Sequence, residues 1–186
     1  MGAEETGRNV LMKPSDPPPV NLFVGILYTD AALLERAIER LEEQFGQIEY
    51  RSPVYAFDIT DYYVPEMGSP IFRLFLSFQK TVNPKDLARI KIETNRIEET
   101  LAVDGKRKVN LDCGILDYDK VVLASAKYNG QKVYLDFGVW ADLTLHYNKG
   151  RFDPYPWSFP DFKSGTYSDA FLRMRQLYKQ KRTGGS

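Results

Sequence analysis

The sequence is poor in the side chains that thiol, zinc and imidazole chemistry requires. Its 186 residues contain one cysteine, Cys113, and one histidine, His146. A single cysteine excludes an internal disulfide framework and a zinc site made of several thiolates, and it is typical of a reducing compartment such as the cytosol. Cys113 has no adjacent histidine, and His146 lies in an alternating strand pattern without a nearby partner. We therefore predict that neither residue carries the chemistry of the protein.

The chain also lacks an excess of charge and any long apolar run. It has 25 basic and 25 acidic side chains, so its formal net charge is zero and no overall field attracts nucleic acid or anionic lipid. No apolar stretch approaches the roughly 18 residues that a membrane span needs. A Walker phosphate loop, a dinucleotide-binding glycine motif and paired-cysteine zinc spacing are all missing. These absences predict a cytoplasmic protein that does not enter a membrane.

Length and composition predict one folded domain with flexible ends. A chain of 186 residues with 43% hydrophobic side chains can bury a core without disulfides or metals. Residues 1–19 carry mixed charge and end in Pro17-Pro18-Pro19, which predicts a flexible leader and not a signal peptide or a strand. We predict a single domain over residues 20–181 and a flexible tail over residues 182–186.

Hydrophobic periodicity in the first part of the domain alternates between strand and helix patterns. Helical patterns follow Thr29-Asp30, where either residue can cap a helix, and Asn83, which is a good capping residue. Extended patterns cover Val20–Tyr28, Gln47–Tyr55, Ile71–Val82 and Lys108–Asp112. The resulting order is β-α-β-β-α-β. This order is typical of a ferredoxin-like sandwich, in which helices pack on one face of an antiparallel sheet.

The remaining sequence predicts additions to this sandwich. Asn129-Gly130 is typical of a tight hairpin turn between the first two of three further strands. Gly150–Phe162 contains three prolines and five aromatic residues, which predicts a packed loop without regular structure. A last helix is expected over Thr166–Lys181. The predicted fold class is thus α+β, an elaborated ferredoxin-like sandwich with a mostly antiparallel sheet, a C-terminal helix and extra C-terminal strands at Val121–Ala126, Lys132–Leu135 and Val139–Tyr147.

One stretch between two strand patterns, Phe57–Pro70, has an unusual composition. It holds three carboxylates, Asp58, Asp61 and Glu66, beside two tyrosines, and it contains no Lys or Arg. Because strand patterns end and resume at its borders, we expect an ordered excursion between two strands. If residues 58–61 form a turn, Asp58 and Asp61 lie on one side and Glu66 returns toward them. Three oxygen ligands suit a magnesium ion that keeps several waters.

The carboxylates of this excursion also permit other roles. They could recognise a cationic group of a small ligand, or act as a general base beside the hydroxyls of Tyr62 and Tyr63. Alternatively, Asp58 and Asp61 cap turns, Glu66 points into solvent, and the two tyrosines pack in the core or at its rim. The spacing matches no strict metal motif, so the sequence leaves these alternatives open.

A second group of candidates lies at a strand end and in two later loops. Asn110 and Asp112 point to the same side of their strand, and Lys127 offers a point charge for a phosphate or carboxylate. Alternatively, Asn110 and Asp112 are strand-ending turn residues and Lys127 is a surface lysine. We predict an acidic and aromatic cleft that binds a small polar or cationic ligand or a divalent metal. Its predicted ligand-binding residues are Asp58, Asp61, Tyr62, Tyr63, Glu66, Asn110, Asp112, Lys127 and Trp157, and its predicted metal ligands are Asp61, Glu66 and Asp112.

A different class of function is an RNA- or protein-interaction module that uses the sheet face or the C-terminal helix. The supporting basic side chains are Lys106-Arg107-Lys108 and, in the last helix, Arg173, Arg175, Lys179, Lys181 and Arg182. Cations near a helix C-terminus also have a simple electrostatic explanation, and the strands lack the glycine and aromatic pattern of an RNA-recognition sheet. RNA binding is therefore the second hypothesis. An exposed edge of an extended sheet would also permit a homo-oligomer.

Several motifs in order resemble one prokaryotic family. They are Leu22-Phe23-Val24-Gly25-Ile26-Leu27-Tyr28, Thr60-Asp61-Tyr62-Tyr63 with Glu66-Met67-Gly68, Asn110-Leu111-Asp112 with Gly114, Val122-Leu123-Ala124-Ser125 with Lys127, and Pro156-Trp157 with Pro160-Asp161. On these motifs, from about Pro19 to Lys181, the chain resembles the family of domain of unknown function DUF4416. The resemblance implies that the tyrosine and Asn110 motifs matter, and that proline is usual at the position of Cys113. It implies no activity, cofactor or partner.

Overall fold

The structure is a computed structural model, and it describes residues 13–184. Most of the predicted leader, residues 1–12, and the last two residues of the predicted tail lie outside the described part of the chain. Residues 13–19 are exposed and belong to no helix or strand. Arg182 and Thr183, in the predicted tail, are the last residues of the C-terminal helix.

Within residues 13–184, nine strands form one sheet, and neighbouring strands run antiparallel. They are β1 (Val20–Tyr28), β2 (Ile48–Arg51), β3 (Tyr55–Ala56), β4 (Phe72–Val82), β5 (Val109–Leu116), β6 (Lys120–Ser125), β7 (Val133–Asp136), β8 (Val139–Asn148) and β9 (Arg151–Pro154). Their order in the sheet is β2-β4-β1-β5-β6-β8-β7, with β3 paired to β4 and β9 paired to β8. The predicted α+β class with a mostly antiparallel sheet is confirmed.

In the described part of the chain, five α-helices connect or cover these strands. They are α1 (Ala31–Phe45), α2 (Val64–Met67), α3 (Leu87–Thr100), α4 (Pro160–Lys163) and α5 (Ser168–Thr183). The predicted caps are present, since Asp30 accepts the Leu33 amide at 2.8 Å and Asn83 accepts the Lys85 amide at 3.1 Å. Within residues 13–184, no helix combines the length and the apolar character that crossing a bilayer would require.

Helices cover both faces of the sheet. On one face, α1 and α3 bury their apolar sides against the central strands. On the opposite face, α5 packs against Phe23 and Phe75 of the sheet, and its buried residues there are Phe171, Met174 and Tyr178. Alternate residues of β1 point to opposite faces of the sheet, and both faces are covered, so all nine residues of this strand are buried. The sheet face considered for RNA binding is therefore covered by α5 over these strands.

The predicted hairpin at Asn129-Gly130 is wrong, because β6 and β7 are not neighbours in the sheet. Strand β8 lies between them and pairs with both. The tight turn is instead formed by Phe137 and Gly138 between β7 and β8. Both residues have a positive φ, 53° and 73°, which is the combination that the tightest hairpin turns need. Phe137 gave no sequence signal of a turn, because phenylalanine rarely adopts a positive φ.

Two predictions about proline-containing segments also need correction. The expected strand Gln47–Tyr55 is divided into β2 and β3, with Pro53 in the break because it has no N–H for the ladder. Gly150–Phe162, predicted to lack regular structure, contains β9 and the start of α4. Pro154 is the last residue of β9 and Pro160 is the first of α4, so neither strand nor helix needs a donor there.

The sheet forks between β5 and β6, and this fork positions the candidate site. Strand β5 pairs with β1 along its whole length, but only Gly114, Ile115 and Leu116 also pair with β6. Gly114 lies where the two strands separate. A Cβ atom there would lie 2.4 Å from Cζ of Phe23 and 2.7 Å from the carbonyl oxygen of Val122. Glycine is thus required where the ring of Phe23 crosses the fork.

Candidate functional site

A cavity of about 720 Å³ lies beside the fork of β5 and β6. A cavity of this size accommodates a small organic molecule. Arg73, Arg107, Lys132 and Asp142 contribute to the lining. The rest of the walls is formed by five parts of the chain. They are the excursion with Phe57, Ile59, Thr60, Tyr62 and Tyr63, helix α3 with Lys91, Asn95, Glu98 and Glu99, strand β5 with Asn110 and Asp112, residues 123–129 at the end of β6, and residues 159–162.

The charges that line the cavity are balanced and not predominantly acidic. Among the described residues, five acidic and five basic side chains face it. The acidic side chains are Glu98, Glu99, Asp112, Asp142 and Asp161, and the basic ones are Arg73, Lys91, Arg107, Lys127 and Lys132. The excursion itself has no cation, so every basic group comes from another segment. The cavity is therefore aromatic and charge-paired, in contrast to the acidic cleft expected from the sequence.

We call the polar lining formed by Arg73, Arg107, Asn110 and Asp112 the floor of the cavity. Arg73, in β4, is a buried cation of this floor. Its Nη2 donates to Asp112 Oδ2 at 3.0 Å, and its Nη1 lies 3.3 Å from Asp161 Oδ2. Burial acts to lower the pKa of Arg73, but the charges of Asp112 and Asp161 outweigh it and raise the pKa. Its guanidinium carbon lies 5.0 to 5.8 Å from four ring centroids, those of Phe57, Phe75, Phe162 and Tyr167. Arg73 therefore stays charged within an aromatic shell.

Arg107 is the second cation of the floor. Its Nε and Nη2 donate to the two carboxylate oxygens of Glu66 at 2.7 and 2.8 Å. Its Nη1 donates to Asn110 Oδ1 at 3.0 Å, and Asn110 Nδ2 donates to Asp112 Oδ1 at 2.9 Å. The hydrogen bonds from Arg107 lower the pKa of Glu66. A continuous chain of polar contacts thus links Glu66 to Arg73 along the floor.

Helix α3 adds a buried ion pair to one wall. Nζ of Lys91 lies 4.0 Å from Oε1 of Glu98. Lys91 also donates to the carbonyl of Leu111 at 2.9 Å, and Glu98 accepts the amide of Leu111 at 2.6 Å. Burial raises the pKa of Glu98. The two side chains satisfy both backbone groups of Leu111 in the stretch of β5 that lacks a β6 partner.

The excursion is ordered by a small apolar core. Phe57 and Ile71 pack with Leu27 of β1, and Tyr63 lies against this cluster. The amide of Phe57 donates to the carbonyl of Ile71 at 2.9 Å and closes the segment. Burial, followed by the charge of Asp112, raises the pKa of Tyr63 to about 12. Tyr63 therefore presents a neutral hydroxyl to the cavity.

Exposed apolar and aromatic side chains surround the mouth of the cavity. Ile59, Tyr62, Tyr128 and Phe159 line it and are between 44% and 70% exposed. The ammonium of Lys127 donates a hydrogen bond to the hydroxyl of Tyr62 and lies 4.6 Å from the centroid of its ring. This hydrogen bond, followed by the charge of Lys127, lowers the pKa of Tyr62. Large apolar side chains grouped around a concavity are typical of a binding site.

The structure brings together five of the nine predicted ligand-binding residues. Tyr62, Tyr63, Asn110, Asp112 and Lys127 all line the cavity. They come from the excursion, from β5 and from the loop that follows β6. Two motifs that are far apart in the sequence therefore meet at one concave surface.

The other four predicted residues lie outside the lining. Asp58 and Asp61 are exposed, and Glu66 is bound to Arg107. Trp157 donates its Nε1 to the carbonyl of Leu143 at 2.8 Å, while Phe159 lies at the mouth. The aromatic loop thus contributes to the cavity through a different residue from the one expected.

The predicted metal ligands do not assemble into a cluster. Within residues 13–184, no group of three or more His, Cys, Asp or Glu side chains is placed to hold a metal ion. Asp112 accepts hydrogen bonds from Arg73 and Asn110. Glu66 accepts hydrogen bonds from two nitrogens of the Arg107 guanidinium, Nε and Nη2. Arginine cations therefore occupy the places that a divalent ion would take beside these carboxylates.

Sequence reasoning missed most of the charged groups of the floor. Arg73 alternates with the apolar residues Phe72 and Leu74 in β4, and Phe75 on the same side as Arg73 is a sign that this face is also buried. Lys91, Thr94 and Glu98 are spaced to lie on one side of α3, and this spacing was a usable signal of a buried polar stripe. Arg107 stood out only as part of the basic cluster Lys106-Arg107-Lys108 and Asp161 only within the motif Pro160-Asp161, while no local signal indicated Lys132 or Asp142.

Cys113 and His146 lie apart from the cavity lining. Cys113 is buried, and burial raises the pKa of its thiol to about 11. The ring of His146 packs on Tyr155 with a centroid distance of 4.9 Å. Nδ1 of His146 is buried and has no hydrogen-bond partner among the described residues. Both residues lie among packed side chains and outside the cavity lining.

Part of the basic charge of α5 is used in packing. Arg175 donates to the carbonyl of Tyr118 at 2.8 Å, and its guanidinium carbon lies 3.4 Å from the ring centroid of Tyr147. Lys181 donates to Glu49 at 2.7 Å and to the carbonyl of Phe78 at 2.8 Å. These contacts attach α5 to the sheet, so the helix does not present all its cations as one free surface.

Comparison with known proteins gives one match. The family model described as Domain of unknown function (DUF4416) matches residues 18–178 of the chain. No curated protein and no solved structure matches the chain.

Proposed function

Since the chain belongs to the family of domain of unknown function DUF4416, whose description states no activity, we propose a function from the cavity itself. The protein binds a small organic molecule that has an apolar or aromatic body and a polar end. The body lies against the residues of the mouth, and the polar end meets polar or charged side chains that line the cavity. We propose binding of such a molecule and assign no chemical reaction to the cavity.

One observation carries the proposal: exposed aromatic side chains surround a concave floor whose charges are already satisfied. An apolar ligand that covers Tyr62, Tyr128 and Phe159 removes their surfaces from water, which favours binding. The floor needs no rearrangement, because Arg73 and Arg107 hold its carboxylates in place. A preorganised site loses less free energy on binding than a flexible one.

The polar end of the ligand has three accessible partners. The side chain of Asp112 is 26% exposed and that of Arg107 is 37% exposed. The neutral hydroxyl of Tyr63 can donate or accept a hydrogen bond. A cationic ligand or a divalent metal is less well supported, since arginines already neutralise the carboxylates. The geometry favours an end that combines donors and acceptors.

Protein-observed NMR with ring-containing fragments tests the proposal. We expect fragments whose binding shifts the amide signals of Tyr63, Asp112 and Lys127 together. The variant Tyr128→Ser removes part of the mouth and should weaken these fragments by about threefold to tenfold, as loss of an aromatic contact does.

A matched control is available at Tyr134. The rings of Tyr128 and Tyr134 both pack on Trp140, with centroid distances of 4.9 and 5.1 Å, but only Tyr128 lines the cavity. Tyr134→Ser should therefore leave fragment affinity unchanged. Equal losses in the two variants, or shifts scattered over other surfaces, would contradict the proposed site.

We also infer two finer points about fold and location. The sheet order β2-β4-β1-β5, with α1 and α3 on one face, supports a ferredoxin-like unit at the N-terminal side of the sheet. The covering of the opposite face by α5 is an elaboration of that unit. A single, buried cysteine supports a cytoplasmic location.

A further inference from the structure

We propose that Lys127 anchors an anionic group of the ligand, so that the ligand class is a small carboxylate or phosphate that carries a ring. This inference rests on the proposed function and specifies the ligand of the same cavity. The carboxylates of the excursion alone suggested a cationic ligand, whereas this inference makes the ligand anionic. The ring occupies the aromatic mouth, and the anion takes the ammonium of Lys127.

The pairing of charges around the cavity distinguishes Lys127 from the other four cations. Arg73, Lys91, Arg107 and Lys132 each lie within 4.0 Å of a carboxylate. Lys127 has no acidic group within that distance among the described residues. Its ammonium donates to a neutral hydroxyl, that of Tyr62. A carboxylate or phosphate oxygen is a stronger acceptor for an ammonium than a neutral hydroxyl, so an anion can replace this contact.

The backbone of Lys127 is fixed, although its side chain is exposed. Its amide donates to Oγ of Ser125 at 3.2 Å, and its carbonyl accepts from that hydroxyl at 3.1 Å. The same carbonyl accepts from Nζ of Lys132 at 3.2 Å. Lys132 is itself held by Asp142 at 3.3 Å in a pair whose side chains are each 6% exposed. The loop therefore presents the ammonium of Lys127 from a preorganised position.

Among the described residues, Glu99 is the acidic side chain of the cavity lining that has no cation partner. It is exposed on α3, and its carboxylate makes no ion pair or hydrogen bond within the described part of the chain. Nothing holds this side chain in place, whereas Lys127 is held by Tyr62. Glu99 therefore serves as the matched control for a test of charge at the mouth.

The test uses ring probes that differ in charge. Phenylacetate and phenyl phosphate are anionic, phenylacetamide is neutral, and phenethylamine is cationic. Affinities come from NMR titrations that follow the amide signals of Tyr63 and Lys127. We expect both anions to bind about tenfold more tightly than the amide, as a charge-assisted hydrogen bond implies. Phenethylamine should bind no better than the amide.

Two exposed variants assign this preference to a residue. Lys127→Gln should remove the preference for the anions and leave phenylacetamide binding in place. Glu99→Gln should keep or increase it. Each variant is first compared with the wild type by its amide spectrum, so that a change of fold is recognised.

The outcomes separate this inference from the proposed function. Equal binding of all probes at the cavity, or an anion preference that persists in Lys127→Gln, overturns the role of Lys127 and leaves the cavity as a binding site. Tightest binding of phenethylamine also overturns it. If no probe shifts the cavity signals, the inference and the proposed function for ring-bearing ligands both fail.

Discussion

Arg107 and Glu66 are 41 residues apart in the chain and meet in a two-point contact. Nε and Nη2 of the guanidinium donate to the two oxygens of the carboxylate at 2.7 and 2.8 Å. The contact joins the excursion to the segment that enters β5. It also places Arg107 where Nη1 reaches Asn110, so one side chain coordinates two walls of the cavity.

We expect Arg107→Gln to lower the free energy of unfolding by about 1 to 2 kcal/mol, because it removes charge-assisted hydrogen bonds to partly buried partners. Urea unfolding measures this change. Arg40→Gln is the control, since Arg40 pairs only with the exposed Glu43 and should cost less than about 0.5 kcal/mol. Equal effects of the two variants would mean that the Arg107 contact adds nothing to stability.

Gly114→Ala should destabilise the protein by about 1 to 3 kcal/mol, because the new methyl group overlaps the ring of Phe23 and the carbonyl of Val122. Gly130→Ala is the control: no atom lies within 4 Å of its added Cβ, and the change should stay within about 0.5 kcal/mol. Thermal unfolding of both variants checks the difference. A Gly114→Ala protein as stable as the wild type would show that the fork can relax.

Stability should fall as the pH rises from about 9 to about 11, because burial raises the pKa of Cys113 from 9.0 to about 11. The folded state then holds the thiol proton more tightly than the unfolded state, and this advantage disappears as both states lose the proton. The thiol contributes roughly 2 to 3 kcal/mol to the fall. Urea midpoints of the wild type and Cys113→Ala across this range test it. Parallel curves would contradict it, whereas a flatter curve for the variant is expected.

The phenol of Tyr62 should ionise at a lower pH than an isolated tyrosine, because the hydrogen bond and charge of Lys127 lower its pKa. In Lys127→Met this pKa should move back toward 10.0. An NMR titration of the Tyr62 ring carbon measures it directly. The ring signals of Tyr134, which is exposed and outside the cavity, check at neutral pH that the variant keeps its fold.

Local patterns were sufficient to predict much of the fold. The apolar run Val20–Tyr28 predicted a strand, and the caps at Asp30 and Asn83 predicted the starts of two helices. Each of these depends on residues close in sequence, where periodicity and capping chemistry act. The unusual composition of the excursion likewise marked a segment that lines the cavity.

The remaining features depend on contacts between distant residues. The place of β8 between β6 and β7 depends on a turn whose Phe137 carries no turn signal. The balance of charge in the cavity depends on which cation reaches which acid, as in the Arg73 contact with Asp161, 88 positions later in the numbering. Sequence spacing does not indicate such pairs, so the site appeared acidic when only the excursion was considered.

The absence of a cation in Phe57–Pro70 has a consequence for how the protein folds. As a free peptide this segment would carry three negative charges and no positive one. In the protein, Arg107 binds its Glu66 and Lys127 binds its Tyr62. The mouth of the cavity is therefore complete only when the start of β5 and the loop beyond β6 are in place. A ligand-binding signal from this cavity would thus report on the native arrangement of three separate segments.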